Sequence, residues 1–165
     1  MKYCFECGTK LIMRKPNATD PEAPYCPHCQ EFRFPIFSCA ISTVIINPSH
    51  TKVCFIQQYG RHSNVLVAGY INKGENAIET LIREVKEEVG LNVVEYHFND
   101  TQYFAPTNTL MFNFISVVDS EEFIRNTLEV DHVEWFPIEE ARERIRPHSL
   151  AKYFLTQALP KIKAL

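Results

Sequence analysis

The chain has 165 residues, of which 45% are hydrophobic, and a formal net charge of -3 at pH 7. This length suits one medium domain with a small appendage, and the slightly acidic balance argues against a protein that covers nucleic-acid backbone with a broad basic surface. No apolar run is long enough to span a bilayer, and residues 1–9 lack the unbroken apolar stretch of a secretory signal, so we expect a soluble cytoplasmic protein.

Residues 1–34 are rich in cysteine, proline and polar residues and show little hydrophobic periodicity. They contain two Cys-x-x-Cys pairs, formed by Cys4, Cys7, Cys26 and Cys29. Four thiolates in two such pairs favour a closed tetrahedral zinc site in a reducing compartment, and two unrelated redox pairs are the alternative. We therefore predict a small zinc-binding unit over 1–34 and a larger domain over 35–165.

From Pro35 onward, apolar segments predict strands that interleave with helices. The expected strands are 36–46, 53–58, 65–68, 93–104, 109–118 and 130–136, and the expected helices are 76–89, 138–146 and 149–162. This alternation places the domain in the α/β or α+β class.

The helix predicted over 76–89 has two different faces. The residues expected to face the core follow the i, i+3, i+4, i+7 spacing, and they are Ile78, Leu81, Ile82, Val85 and Val89. Glu84, Glu87 and Glu88 cluster on another side, near the C-terminus of the helix. Because these carboxylates repel one another and the helix dipole, a hard divalent cation is expected to compensate them. A solvated acidic surface is the alternative.

The segment from Gly69 to Leu91 reads GYINKGENAIETLIREVKEEVGL. It resembles the Nudix box, which is Gly, five residues, Glu, seven residues, then Arg-Glu-aliphatic-x-Glu-Glu-x-Gly-aliphatic, and every specified position is filled. The resemblance implies a Nudix α/β/α sandwich with a mixed sheet. It also implies a Mg²⁺- or Mn²⁺-dependent hydrolase that directs water onto a phosphorus of a nucleoside diphosphate linkage.

The same resemblance assigns roles to residues of the box. Glu84, Glu87 and Glu88 match the metal ligands, and Glu88 is the best candidate for the general base. Arg83 is expected to brace the carboxylates, and Glu75 to support the loop. Gly69 is expected to permit a tight turn.

The rest of the chain resembles the NADH pyrophosphatase branch of the Nudix family, which cleaves NAD(H) to NMN(H) and AMP and can remove NAD caps from RNA. That branch carries a four-cysteine ribbon with structural zinc before its Nudix domain, as residues 1–34 would here. It also has a Glu six positions before a Trp as a further metal ligand, and Glu129 holds that place before Trp135. The branch signature Ser-Gln-Pro-Trp-Pro-Phe-Pro-x-Ser-Leu-Met is only partly kept at 101–111, TQYFAPTNTLM, where the three prolines and the Phe are replaced.

Further expectations for the substrate site come from this branch. Phe34 and Tyr70 stand where it sandwiches a substrate base, Gln102 is retained from its signature, and Ala151 lies in its nucleotide-contacting turn. The branch also implies a homodimer. The run 142–146 is interpreted as a charged helix end, with a contact to substrate phosphate as the alternative.

Two other functions are weighed against cleavage of NAD(H). ADP-ribose or a dinucleoside polyphosphate would be hydrolysed by the same chemistry. A non-catalytic nucleotide- or RNA-binding regulator would be a different class of protein, but the intact box argues against it because a binding domain does not need three clustered carboxylates.

Overall fold

The computed structural model divides the chain into two compact units, residues 1–37 and 38–165. It describes residues 1–124 and 129–165. None of the helices in these ranges is long and apolar enough to cross a membrane. The separate functions assigned to 1–34 and 35–165 remain predictions.

Unit 1 contains a three-stranded antiparallel sheet. Its strands are β1 (Ile12–Arg14), β2 (Ala23–Cys26) and β3 (Glu31–Phe32), in the order β1-β2-β3. They were not expected from the sequence because strands of two to four residues are too short to show a period. The two loops that carry the cysteine pairs bring four Sγ atoms within 4.8 Å of one another, so this cluster takes the place of a large apolar core.

Unit 2 is built around a mixed sheet that has six strands in the described residues. They are β4 (Ser38–Ile46), β5 (Lys52–Gln58), β6 (Val67–Tyr70), β7 (Val93–Phe104), β8 (Thr109–Val118) and β9 (Val130–Pro137). The main path runs β7-β8-β4-β5-β9, with β4 and β8 parallel and the other pairs antiparallel. This confirms the mixed sheet that the sequence resemblance implied.

Strand β4 has two partners along one edge, because β8 pairs with its other edge over its whole length. At the C-terminal end of β4, Ile45 and Ile46 pair with β5, whereas residues 40–43 pair with β6. Beyond this point β5 pairs with Val65, just before β6, through Ile56. The sheet therefore divides where β5 and β6 leave β4.

In the part of the chain that the structure describes, three α-helices cover the sheet: α1 (Ala77–Val89), α2 (Ala141–Arg144) and α3 (Leu150–Ile162). Leu81 and Val85 of α1 belong to one buried cluster, whereas Phe154 and Leu155 of α3 belong to another. Successive residues of β4 alternate between the two clusters, so α1 lies on one face and α2 and α3 on the other. The expected α/β/α sandwich is thus confirmed.

Some predicted boundaries and burials were wrong. The helix expected over 138–146 is limited to Ala141–Arg144, because Ile145 is extended and pairs with Asn64 in a parallel bridge. Ile82, expected in the core, is 45% exposed, since it lies at the border of the apolar stripe of α1.

Candidate active site

The loop before α1 is fixed by hydrogen bonds to the first turn of the helix. The Asn76 side chain accepts from two backbone N–H groups of that turn, and the Glu79 carboxylate accepts from the Asn76 N–H, which makes a capping box. Glu75 accepts hydrogen bonds from the Asn72 N–H at 3.1 Å and the Thr80 hydroxyl at 3.0 Å. The glutamates later in α1 therefore project from a helix whose start is well defined.

Arg83 joins this loop to the acidic face of α1. Its Nε and Nη2 donate to the two oxygens of Glu75 at 2.8 and 3.0 Å. Its Nη1 donates to Glu84 at 2.7 Å and to Glu87 at 3.0 Å. The bidentate pair with Arg83 lowers the pKa of Glu75 to about 2. Arg83 thus lies where bracing of the carboxylates requires it, although its part in activity remains a prediction.

Gly69 lies on β6 against the carboxylate of Glu84. A Cβ added at position 69 would lie 1.8 Å from Glu84 Oε1 and 1.9 Å from Glu84 Cδ. The expectation of a tight turn at Gly69 was wrong, because the residue pairs with Ile41 inside the sheet. Glycine is required here for close approach: only a residue without a Cβ leaves room for the Glu84 carboxylate.

Glu88 is the buried member of the acidic face, with only 5% of its surface exposed. The Gln58 amide donates to Glu88 Oε1 at 2.7 Å, whereas Oε2 is buried and has no hydrogen-bond partner among the described residues. Burial, together with the negative charges of Glu84 and Glu129, raises the pKa of Glu88 to about 8. A buried carboxylate with an unsatisfied oxygen beside other carboxylates is the arrangement that a divalent cation stabilises.

Glu129, just before β9, belongs to the same electrostatic cluster. Its Oε2 accepts a hydrogen bond from the Tyr59 hydroxyl at 3.2 Å. Burial is the largest cause of the raised pKa of Glu84 and Glu88, and the charge of Glu129 adds to it. The set Glu84, Glu87, Glu88 and Glu129 offers hard oxygen donors from two parts of the chain, which fits Mg²⁺ or Mn²⁺. It is a looser set than the cysteines: in residues 1–124 and 129–165 only the cysteine cluster brings three or more possible ligand atoms within 4.8 Å.

Two residues at the end of β5 were missed in the sequence. Gln58 contacts Glu88 and Tyr59 contacts Glu129, and Tyr59 has a φ of 55°, which is uncommon for a bulky residue. The signal available in the sequence was a pair of glutamines that follows the apolar residues of a strand. What these side chains contact depends on strand pairing, which the sequence pattern does not reveal.

The expected substrate-binding residues are placed as follows. Phe34, in unit 1, is 65% exposed, and Tyr70, at the end of β6, is 55% exposed. The Gln102 amide donates to the Tyr153 hydroxyl at 2.9 Å, and Ala151 in the first turn of α3 is partly buried against the core. Stacking or nucleotide contact by these residues remains a prediction.

The candidate zinc site of unit 1 is formed by Cys4, Cys7, Cys26 and Cys29. Arg33 Nε donates to Cys4 Sγ at 3.3 Å and lowers the pKa of the Cys4 thiol to about 6. The guanidinium of Arg33 also pairs with Glu6 at 2.7 Å and with Glu31. Four sulfurs within 4.8 Å suit closed tetrahedral coordination of zinc, as expected from the two cysteine pairs.

The NUDIX domain family model matches residues 39–157. The chain is similar to the NAD-capped RNA hydrolase NudC of Vibrio parahaemolyticus, with 24% identity over 98% of the chain, and to that of Escherichia coli, with 26% identity over 99%. It spans 61% and 62% of the length of these two relatives.

Solved structures share this fold. A NUDIX hydrolase from Nitrosomonas europaea matches with a TM-score of 0.67 and 19% identity, over 98% of this chain and 92% of that one. The NUDIX domain of Shewanella oneidensis NrtR, complexed with ADP ribose, matches with a TM-score of 0.67 and 15% identity, over 84% of this chain and 94% of that one.

Proposed function

The chain belongs to the Nudix family, and we propose from this that it is a metal-dependent pyrophosphohydrolase that cleaves a nucleoside diphosphate linkage. NAD(H), cleaved to NMN(H) and AMP, is the first candidate substrate. The complete box at 69–91, the cysteine ribbon and the similarity to relatives named NAD-capped RNA hydrolases support this choice. An NAD cap on RNA would present the same diphosphate bond.

The observation that carries the proposal is the buried Glu88 carboxylate, whose Oε2 has no hydrogen-bond partner in the described residues and which lies in the field of Glu84 and Glu129. Glu84, Glu87, Glu88 and Glu129 would hold Mg²⁺ or Mn²⁺. Either cation, when bound, would polarise the attacking water and neutralise the negative charge on the phosphate oxygens.

The protein's own residues have separate roles in the proposed reaction. Glu88 accepts the proton of the attacking water, because Gln58 occupies one of its oxygens and leaves the other available. Arg83 holds Glu84 and Glu87 in place through its Nη1, and Gly69 provides the space for the Glu84 side chain. In unit 1, Zn²⁺ on the four cysteines would be structural. The protein is also proposed to form a homodimer.

ADP-ribose is the second candidate substrate. The segment 101–111 favours it, because the prolines and the Phe of the NAD(H) signature are replaced there and the Gln102 amide already binds Tyr153.

The test is a turnover assay of purified protein with Mn²⁺ and NADH, NAD, ADP-ribose, diadenosine tetraphosphate and NAD-capped RNA, with the products separated by chromatography. We expect NADH to give NMNH and AMP. Glu88→Gln should lower kcat by about 100-fold or more without loss of folding, as for removal of a general base. Glu143→Gln, which changes an exposed glutamate on α2, is the matched control.

The outcomes separate the alternatives. Cleavage of ADP-ribose with NADH untouched would reject NAD(H) and keep the pyrophosphohydrolase. Binding of nucleotide without any turnover would favour the regulator instead.

A further inference from the structure

A small cavity adjoins the candidate active site at the end of β5. Its volume is about 130 Å³.

 The lining residues of this cavity are Gln58, Tyr59, Arg61, Ser63, Val65 and Arg146. Two of these residues also hold the acidic cluster, since Gln58 binds Glu88 and Tyr59 binds Glu129.

Two arginines reach this cavity from distant parts of the sequence, and Asn64 fixes the backbone of both segments. The Asn64 side chain donates to the Arg144 carbonyl at 3.0 Å, and the Arg146 N–H donates to the Asn64 carbonyl at 2.9 Å. The Asn64 side chain also accepts a hydrogen bond from Gln57 at 2.9 Å, which ties it to β5. The segments of Arg61 and Arg146 are therefore held together without using either guanidinium.

The guanidinium groups of Arg61 and Arg146 have no partner in the described ranges: neither forms a hydrogen bond or an ion pair there. Other arginines differ, since Arg83 binds three glutamates and Arg144 pairs with Glu140. Both side chains are exposed. Two unpaired cations that line one cavity are suited to an anionic ligand.

The size of the cavity limits that ligand. A volume of about 130 Å³ is well below the roughly 300 Å³ at which sites for whole small molecules begin, but a single tetrahedral phosphoryl group fits it. Arginine binds phosphate oxygens through paired N–H donors. The carboxylates of the acidic cluster repel the phosphates of a substrate. Arg83 does not offset this repulsion, because its guanidinium is already paired with three glutamates. Positive charge for a phosphate would therefore come from other arginines.

We propose that Arg61 and Arg146 together bind a phosphoryl group in this cavity. The inference rests on the proposed function, because the group is assigned to the diphosphate substrate. Inorganic phosphate has the same chemistry and would occupy the same cavity as a competitor.

The test is steady-state kinetics with Mn²⁺ on NADH, ADP-ribose and diadenosine tetraphosphate. Arg61→Ala/Arg146→Ala should raise KM by about 10-fold or more for the substrates that are cleaved, as expected for lost charged hydrogen bonds, with kcat within about 3-fold of wild type. Arg61→Lys keeps the positive charge and should therefore raise KM by less than the double Ala variant. Lys163→Ala, which removes an exposed cation outside this cavity, is the matched control and should leave KM unchanged.

An unchanged KM in the double Ala variant, with the melting temperature preserved, would overturn the inference. Should that variant unfold, Arg61→Gln/Arg146→Gln takes its place and is judged by the same criterion. Competition by inorganic phosphate that is lost in the double variant would support the cavity as a site for free phosphate too. A raised KM without such competition would restrict the site to substrate.

Failure of the proposed function has a different signature, which is a wild-type protein that cleaves none of the substrates. In that case, calorimetric titration with ADP-ribose tests the inference by itself. Weaker binding to the double variant than to wild type would support it, and equal affinity would overturn it.

Discussion

Gly69 lies so close to the Glu84 carboxylate that a larger residue at position 69 would clash with it. Sequence similarity assigns them to one motif, but the structure gives the physical reason, because the carboxylate lies where a Cβ at position 69 would be. Glu88 is constrained differently, by burial and by the Gln58 amide. At this scale, the chemistry depends on where individual carboxylate oxygens are held.

We predict that Gly69→Ala lowers kcat/KM by about 100-fold, since a ligand displaced by about 1 Å costs activity of this order. The melting temperature should change little, because the clashing atoms are the end of a flexible side chain. Kinetics and thermal unfolding check this, with Ala68→Ser on the same strand as control. Wild-type activity in Gly69→Ala would show that the position of Glu84 does not matter.

The stability of the metal-free protein should depend on pH through Glu88. Its pKa is about 8 in the folded chain and 4.5 ordinarily, so the folded state binds more protons between these values. The free energy of unfolding should therefore fall as pH rises from about 5 to about 8, by on the order of a few kcal/mol, and Glu88→Gln should remove this dependence.

Urea unfolding of wild type and Glu88→Gln after identical metal removal measures the difference, because effects on unit 1 are common to both proteins. Equal slopes against pH in the two proteins would contradict the assignment.

At the scale of elements, α1 is set by its ends. The capping box at Asn76 begins the helix, and Gly90, with a φ of 76°, ends it. The sequence predicted this helix well because its apolar period, its cap residues and its terminal glycine agree. The 138–146 segment was predicted poorly, because its pairing with Asn64 is a tertiary contact that no local pattern contains.

Asn76→Ala should lower the free energy of unfolding by about 1 kcal/mol, the usual effect of losing an N-cap. Denaturant unfolding would measure this change. Lys73→Ala in the same loop removes an exposed side chain and serves as the control. An effect no larger than that of the control would mean that the capping box contributes little.

At the scale of the molecule, the two units are stabilised in different ways. Unit 2 has buried apolar clusters on both faces of its sheet, whereas unit 1 depends on four cysteines around a candidate zinc site. The sequence predicted both the cysteine cluster and the acidic helix, since each is a local motif. It did not predict Gln58, Tyr59 or Asn64 at the site, because their partners are 30 to 80 residues away along the chain.

Replacement of a cluster cysteine should unfold unit 1 and leave unit 2 folded, because structural zinc sites supply folding energy directly. In Cys26→Ser we expect amide exchange of residues 1–37 to become fast, while the core of β4 and β8 stays protected. Hydrogen exchange with mass spectrometry measures both regions in one sample. Cys39→Ser, outside the cluster, is the control, and protection of 1–37 retained in Cys26→Ser would contradict the prediction.

The division of the sheet at β4 has a consequence for how activity would be lost on heating. The glutamates of α1 meet β5 through Gln58 and β6 through Gly69, and both strands are anchored on β4. Strand β4 therefore holds both strands that contact the carboxylates. If β4 detaches, β5 and β6 lose their pairing partner together. Loss of activity and hydrogen exchange of the β4 amides should therefore share one midpoint temperature.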